Sequence, residues 1–179
     1  MSEENKGNSV MKELWEYIKM IIFVVIVVFI VNNFILINAK IPSESMEKTI
    51  MTGDRVFGSR LSYLRKDPER FDIVVFKFPD DESQLFIKRV IGLPGEKVEI
   101  RDGKVYINDA EVPLDDSFIP EPSIGNWGPG TVPEGHYFML GDNRNYSKDS
   151  RFWQNTYVAK DKILGKALVR YFPSPKVLE

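Results

Sequence analysis

The sequence predicts a mainly β protein, with twisted antiparallel sheets forming a coiled, barrel-like domain behind one N-terminal transmembrane helix. One long apolar run lies near the N-terminus, and short segments of alternating apolar and polar residues follow it. Glycine and proline separate these segments, as is typical of antiparallel β domains. At 179 residues the chain is long enough for one such domain and an anchor.

The predicted anchor covers residues 14–38, behind a tail at residues 1–13 of which residues 1–12 are predicted to be disordered. As a helix, the apolar run from Met20 to Ile37 would span about 27 Å, close to the ~30 Å hydrocarbon core of a bilayer. A run this apolar argues against the alternative of a buried helix in a small soluble core. It is also longer than the ~7–15-residue apolar region of a cleaved signal peptide, the other alternative.

The lysines that precede the apolar run predict its orientation. Lys6, Lys12 and Lys19 favour a cytoplasmic N-terminus under the positive-inside rule, in which carboxylates count little. Long domains cross membranes largely regardless of their charge. Residues 39–179 are therefore predicted to form the extracytoplasmic domain of a single-pass protein of the cell membrane.

Several segments of this domain have the alternation and β-branched content of strands. They are residues 55–58, 71–78, 85–92, 97–100, 104–107, 136–140 and 167–172. Asp102 and Gly103 predict a hairpin between two of them. Residues 113–133 are rich in proline, glycine and serine, and they are predicted to form a long surface connection.

Composition excludes several classes of function. The 24 basic and 26 acidic residues are balanced, and no dense basic stripe suggests nucleic-acid binding. The absence of cysteine excludes disulfides and thiolate catalysis. One histidine, His136, excludes a multi-histidine metal site.

Two serines follow a proline just after the apolar run. In an extended segment, Ser43 and Ser45 would point to the same side. One hydroxyl could then attack a carbonyl while the other donates a hydrogen bond to the developing oxyanion. The alternative is a turn or a helix cap without catalytic function.

A lysine interrupts an apolar strand. Lys88 lies on the side shared by Phe86 and Val90. Burial lowers the proton affinity of an amine, so Lys88 could be neutral and accept a proton from a serine. The alternative is an exposed lysine on an edge strand.

Residues 141–151 form a dense polar segment after a predicted strand. Ser147 could hydrogen-bond the Lys88 amine and orient it, and Asp149 and Arg151 could pair and stiffen the segment. The alternative is an ordinary polar turn.

Together these segments resemble the sequence boxes of the type I signal peptidases, most closely the short form of Gram-positive bacteria. The matching residues are Pro42, Ser43, Ser45, Met46 and Thr49; residues 72–76; Lys88, Arg89, Gly92, Pro94 and Gly95; and Gly141, Asp142, Asn143, Arg144, Ser147, Asp149, Ser150 and Arg151. The boxes occur in the family's order and cover roughly residues 38–172.

The resemblance implies a role for each matching residue. Ser45 is the expected nucleophile and Lys88 the general base, with Ser43 as an oxyanion donor beside the Ser45 N–H. Ser147 is expected to orient Lys88, supported by Asp149 and Arg151. Ile41, Phe86 and Ile87 are expected to line shallow pockets for small substrate residues.

The implied activity is a serine endopeptidase that removes signal peptides from exported preproteins by a Ser–Lys dyad, without a metal or cofactor. The implied partners are signal-peptide-bearing preproteins, the lipid bilayer and the secretion translocon, and not nucleic acid. The sequence departs from the family at Lys48, Ile50 and Phe71, where proline, leucine and glycine are usual. None of these departures replaces an expected catalytic group.

Three alternatives remain open at this point. His136 could form a Ser–His–Asp triad with Ser45 and either Asp142 or Asp149. The chain could be a membrane-tethered protease that cleaves itself or a regulatory partner. It could also be a non-enzymatic anchored domain that binds export substrates or scaffolds a complex.

Overall fold

The structure is a computed structural model that describes residues 3–178. The described chain divides into two compact units, one ending at Leu36 and the other beginning at Ile37.

The first unit is a helix, α1 (Glu3–Ile30), that continues as a π-helical turn at Val31–Ile35. The stretch Met11–Ile35 is 25 residues long with a mean hydropathy of 2.6, long and apolar enough to cross a membrane. Most of its large apolar side chains are exposed; Phe23, for example, is 65% exposed. This unit therefore fits a membrane anchor.

Two boundaries of the first unit differ from the sequence prediction. The helix begins at Glu3, so the disorder predicted for residues 1–12 is wrong from that residue onward; Met1 and Ser2 lie outside the described residues. The predicted anchor also ran to residue 38, but a strand begins at Leu36. Ile37 is 5% exposed in the core of the second unit, so the end of the apolar run serves protein packing.

The second unit is built of short strands. They are β1 (Leu36–Lys40), β2 (Arg55–Ser59), β3 (Ile73–Phe78), β4 (Asp81–Gly92), β5 (Lys97–Arg101), β6 (Lys104–Ile107), β7 (Trp127–Thr131), β8 (His136–Leu140), β9 (Val158–Ala159), β10 (Ile163–Phe172) and β11 (Lys176–Val177).

The strands form two sheets. The larger has the order β1-β2-β10-β3-β4-β8-β9, with β11 paired to β10, and the smaller has the order β6-β5-β7. Every pairing with a described register is antiparallel. The predicted mainly β, antiparallel fold is confirmed; closure into a barrel stays a prediction.

Most predicted strands are present with shifted ends. The hairpin turn is confirmed, with φ of 49° at Asp102 and 78° at Gly103. Phe71 lies outside β3, because its φ of 73° is incompatible with a strand.

The predicted connection at residues 113–133 contains β7, which was missed because Gly128, Pro129 and Gly130 obscure its pattern.

Strand β4 positions the site. Its residues contribute to all three apolar clusters of the core: Ile87 to the first, Val90 to the second and Ile91 to the third. A strand packed in this way has little freedom to shift, so a polar side chain on it is held in place.

Candidate active site

Residues 42–49, which we call the serine turn, bring the two predicted serines together. The Glu47 N–H donates to the Glu44 carbonyl (3.0 Å), and the Ile50 N–H donates to the Met46 carbonyl (2.8 Å). Met46 is fully buried and anchors the turn. The two serines lie in a bend and a turn, one of the two possibilities left open by the sequence, and their hydroxyl oxygens are 3.3 Å apart.

Lys88 meets Ser45 inside the protein. The Lys88 Nζ and Ser45 Oγ atoms are 2.5 Å apart, and each residue is 4% exposed. Nζ also lies 5.5 Å from the centre of the Phe86 ring. As an ammonium, Lys88 donates a proton to this contact; as a neutral amine, it accepts the hydrogen bond from the Ser45 hydroxyl.

Burial changes the proton affinity of Lys88. The pKa of Lys88 is lowered from 10.5 to about 8, and desolvation is the largest cause. The carboxylates of Asp149 and Asp142 act in the opposite direction, and Arg151 lowers the pKa further. A substantial fraction of the amine is therefore neutral at mildly alkaline pH, as a general base requires.

Residues 141–151, which we call the polar loop, contain the predicted Asp149–Arg151 pair. The Arg151 Nε atom donates to Asp149 Oδ1 (2.8 Å), and Nη2 donates to Asp149 Oδ2 (2.9 Å). Asp149 is fully buried and also accepts from the Gly141 N–H (3.0 Å). The predicted pairing is present, and it extends to the loop backbone.

The polar loop is bonded directly to the serine turn. The Asn143 N–H donates to the Ser45 carbonyl and Asn143 Nδ2 donates to the Glu44 carbonyl, both at 3.1 Å. These bonds fix the backbone on both sides of the Ser45 peptide nitrogen.

A second buried ion pair was not predicted from sequence. Arg89 donates two parallel hydrogen bonds to Asp142, each 2.8 Å long. Thr49 Oγ1 also donates to Asp142 Oδ2 (2.6 Å), which ties strand β4, the polar loop and the serine turn together. The available signal was Arg89 beside Lys88 in an apolar strand, since a buried arginine requires a carboxylate.

Ser147 does not form its expected hydrogen bond. The residue is 5% exposed, and its hydroxyl has no hydrogen-bond partner in the described part of the chain. It lies against Gly141, where an added Cβ would be 2.2 Å from Ser147 Oγ and 2.4 Å from the Ser45 carbonyl oxygen. Gly141 therefore lets the polar loop approach Ser45 closely, and the orienting role of Ser147 stays a prediction.

A cleft of about 480 Å³ opens onto the two contacting side chains. Its lining residues are Pro42, Ser43, Glu44, Ser45, Thr52, Leu85, Phe86, Ile87, Lys88, Tyr146 and Lys148. Phe86 and Ile87 thus lie where they were predicted. Ile41 does not, because it is 2% exposed and packs in the core. Leu85, Tyr146 and Lys148 are lining residues that sequence reasoning missed.

The alternative triad is not assembled. The His136 Nδ1 atom is 2.9 Å from the Glu134 carbonyl, and His136 lines a different surface pocket with Tyr63 and Leu64. Both candidate aspartates are instead paired with buried arginines.

Two departures from the family pattern have unusual backbone geometry. Lys48 has a φ of 69°, which proline cannot adopt, so the usual residue would require a different turn. Phe71 has a φ of 73°, which glycine adopts freely. The Phe71 carbonyl nevertheless accepts a hydrogen bond from Arg89 (2.8 Å). Ile50 is fully buried.

Comparison with known proteins identifies the family. The family model described as "Signal peptidase, peptidase S26" matches residues 14–172. The chain is 41% identical over 164 residues to the probable signal peptidase I-2 of Synechocystis sp., covering 89% of this chain and 73% of that protein. It is also 41% identical over 167 residues to the signal peptidase I of Leptolyngbya laminosa, covering 89% of this chain and 80% of that protein.

Among solved structures, a signal peptidase I from Enterococcus faecalis V583 has 38% identity and a TM-score of 0.47, covering 56% of this chain and 97% of that chain. The family match and the sequence relatives confirm the resemblance noted above. This chain belongs to the signal peptidase family, peptidase S26, and is a serine protease of signal-peptide processing.

Proposed function

We propose that this chain is a membrane-anchored endopeptidase in which Ser45 is the nucleophile and Lys88 the general base, and that it cuts preproteins after small residues. The observation that carries the proposal is the buried contact between these two side chains at the wall of an open cleft. Lys88 forms no ion pair with any described residue, so no carboxylate holds its proton in place.

Acylation begins when neutral Lys88 takes the Ser45 proton. Ser45 Oγ attacks the carbonyl carbon of the residue before the cleaved bond, and the Ser43 hydroxyl and the Ser45 N–H stabilise the oxyanion. The Lys88 ammonium then gives its proton to the leaving amine. The released amine becomes the N-terminus of the mature protein, and the signal peptide remains as an ester on Ser45.

Deacylation repeats these steps with water. Lys88 is neutral again after protonating the amine, and it takes a proton from a water molecule that attacks the ester. Collapse of the second oxyanion releases the signal peptide carboxylate and returns the proton to Ser45 Oγ.

The cleft offers an edge for an extended substrate. Residues 85–88 of β4 pair with β3 on one side, whereas the described pairing with β8 covers only Arg89–Gly92 on the other. A substrate strand pairing with the open edge would run past Lys88 toward Ser45. The half-buried Phe86 and the buried Ile87 would then limit the size of the substrate residues at the cut.

The bilayer and the secretion translocon complete the proposal. An apolar anchor keeps the chain in the membrane, in which signal peptides are embedded when their cleavage sites are presented. The lysines before α1 favour a cytoplasmic N-terminus and an extracytoplasmic cleft. The proposed partners at the membrane are the signal-peptide-bearing preproteins and the secretion translocon that delivers them.

The purified full-length chain tests the proposal with a preprotein carrying alanine before the cleavage site. We expect mass spectrometry to find one new N-terminus at that site, and none with Ser45→Ala or with a bulky residue in place of the alanine. Cleavage by Ser45→Ala would overturn the proposal. Self-cleavage with an intact preprotein would favour the regulatory protease instead.

The sidedness has its own test, because the chain contains no cysteine. Single cysteines at Lys12 and at Val112, which is 76% exposed, report the two sides of the membrane. In intact cells from which any layer outside the cell membrane has been removed, we expect a membrane-impermeant thiol reagent to label the Val112→Cys variant and not the Lys12→Cys variant. The reverse labelling would show the opposite orientation.

A further inference from the structure

The segment between β6 and β7 contacts the polar loop, although it lines no part of the cleft. We call residues 115–126 the brace. Asp116 pairs with Arg144 (2.9 Å), and Ser123 Oγ accepts from Arg151 Nη1 (2.6 Å). The Glu121 carboxylate (2.8 Å), the Pro122 carbonyl (3.1 Å) and the Ile124 N–H (2.7 Å) all bond to the Asn145 side chain.

The contact of Ser123 with Arg151 is the most buried of these bonds. Ser123 is 6% exposed, and the Arg151 side chain is 4% exposed. Arg151 directs its other donors to Asp149 and, through Nη2, to the Arg144 carbonyl (2.5 Å). Ser123 accepts from the remaining nitrogen, Nη1, and so adds a fourth bond to the three that hold the guanidinium plane.

A short series of contacts connects the bond between Ser123 and Arg151 to Ser45. Asp149, which Arg151 orients, accepts the Gly141 N–H at 3.0 Å. Gly141 lies so close to Ser45 that an added Cβ would be 2.4 Å from the Ser45 carbonyl oxygen. A rotation of Arg151 would therefore move a backbone in contact with the serine turn.

We propose that Ser123 is a positioning residue for peptide cleavage, which acts through Arg151 and Asp149 to hold Gly141 against Ser45. The brace thereby couples the smaller sheet to the cleft in the larger sheet. This inference rests on the proposed function of Ser45 and Lys88.

The same chain of contacts predicts a change in pH dependence. Burial is the main cause that lowers the pKa of Lys88, Asp149 raises it, and Arg151 lowers it. Without the Ser123 hydroxyl, Arg151 loses one of the bonds that hold it in place, and its contact with Asp149 loosens. Lys88 would then face a less neutralised carboxylate and a more distant cation, and both changes raise its pKa.

The test compares Ser123→Ala with Ser117→Ala in the full-length chain, using the preprotein assay above. Ser117 lies in the brace but is exposed, and its hydroxyl makes no described hydrogen bond, so it is a matched control. For Ser123→Ala we expect kcat to fall about tenfold with little change in KM, as for a small misplacement of reacting groups. The rise of kcat/KM with pH should move to higher pH, whereas Ser117→Ala should match the wild type.

The outcomes separate this inference from the proposed function. If Ser45→Ala is inactive but Ser123→Ala keeps the wild-type kcat and pH profile, even with a lower melting temperature, the inference is wrong and the function stands. If Ser45→Ala still cleaves, both fail. Should Ser123→Ala not fold, Ser123→Cys keeps a side chain of similar shape but offers Arg151 a weaker acceptor, and the same changes with smaller size are expected of it.

Discussion

Lys88 and Lys166 lie on either side of the same residue of the large sheet, but one is buried without a carboxylate partner and the other forms an ion pair. Val74 on β3 pairs with Lys88 of β4 on one side and with Lys166 of β10 on the other. The Lys166 side chain is 26% exposed and forms an ion pair with the buried Asp72. Lys88 is 4% exposed and contacts a hydroxyl instead of a carboxylate.

The electrostatic consequences differ accordingly. Burial alone would raise the pKa of Asp72, but hydrogen bonds from Lys166, the Glu69 N–H and Tyr63 outweigh it and lower that pKa. At Lys88 the charges of Asp149 and Asp142 offset only part of the desolvation, and the pKa falls to about 8. The comparison shows that a lysine in an ion pair, such as Lys166, stabilises the fold. A buried lysine without a carboxylate partner, such as Lys88, lowers stability but has a pKa suited to proton transfer.

The largest expected difference between the two lysines is in turnover. We expect Lys88→Met to lower kcat by roughly 10⁴-fold or more, as for other groups that act with a nucleophile as a unit. Lys166→Met should keep most of the wild-type kcat. The measurement is cleavage of the preprotein at saturating concentration. Retained turnover by Lys88→Met would show that the base is another group.

The next effect concerns one serine beside each lysine. Ser43→Ala should lower kcat by about 10²–10³-fold, the usual cost of one oxyanion donor, with little change in KM. Ser59 pairs with Lys166 across the sheet, so Ser59→Ala is the matched control and should be near wild type. Equal kcat values for the two variants would remove Ser43 from the mechanism.

The pH profile distinguishes the lysines further. Because only neutral Lys88 accepts a proton, kcat/KM should rise about tenfold per pH unit at low pH and level off near its pKa. That pKa is about 8 in the free enzyme, since burial disfavours the ammonium. Lys166→Met should leave the profile in place. A flat profile between pH 6 and 8 would contradict the assignment.

The smallest effects are on stability, and they should have opposite signs. Lys88→Met should raise the free energy of unfolding at pH 7 by about 1–3 kcal/mol, because a buried ammonium is removed. Lys166→Met should lower it by about 1–3 kcal/mol, because Asp72 loses its partner. Urea unfolding in detergent, followed by tryptophan fluorescence, measures both.

The sign of the pH dependence can be worked out for Lys88. Its folded pKa, about 8, lies below the ordinary value of 10.5. Between these values the unfolded chain binds more protons, so wild-type stability rises with pH. The advantage of Lys88→Met is therefore full below pH 8 and disappears as the pH approaches 10.5. An advantage that grows with pH would contradict the depressed pKa.

Much of this protein was predictable from local patterns. Alternation predicted most strands, and Asp102-Gly103 predicted its hairpin, because both signals depend on neighbours in sequence. Lys88 stood out because an apolar strand rarely contains an amine. Strand β7 was missed because its glycines and proline carry no apolar pattern.

The sequence by itself determined the family, the mainly β fold and the residues that can carry the chemistry, because residue types and spacings are local properties of the chain. Only the tertiary structure decided which groups meet. It moved Ile41 into the core, left the Ser147 hydroxyl without its expected bond, paired Arg89 with Asp142 and joined Ser123 to Arg151. These outcomes depend on burial and on contacts between residues far apart in sequence, which exist only after the strands have packed.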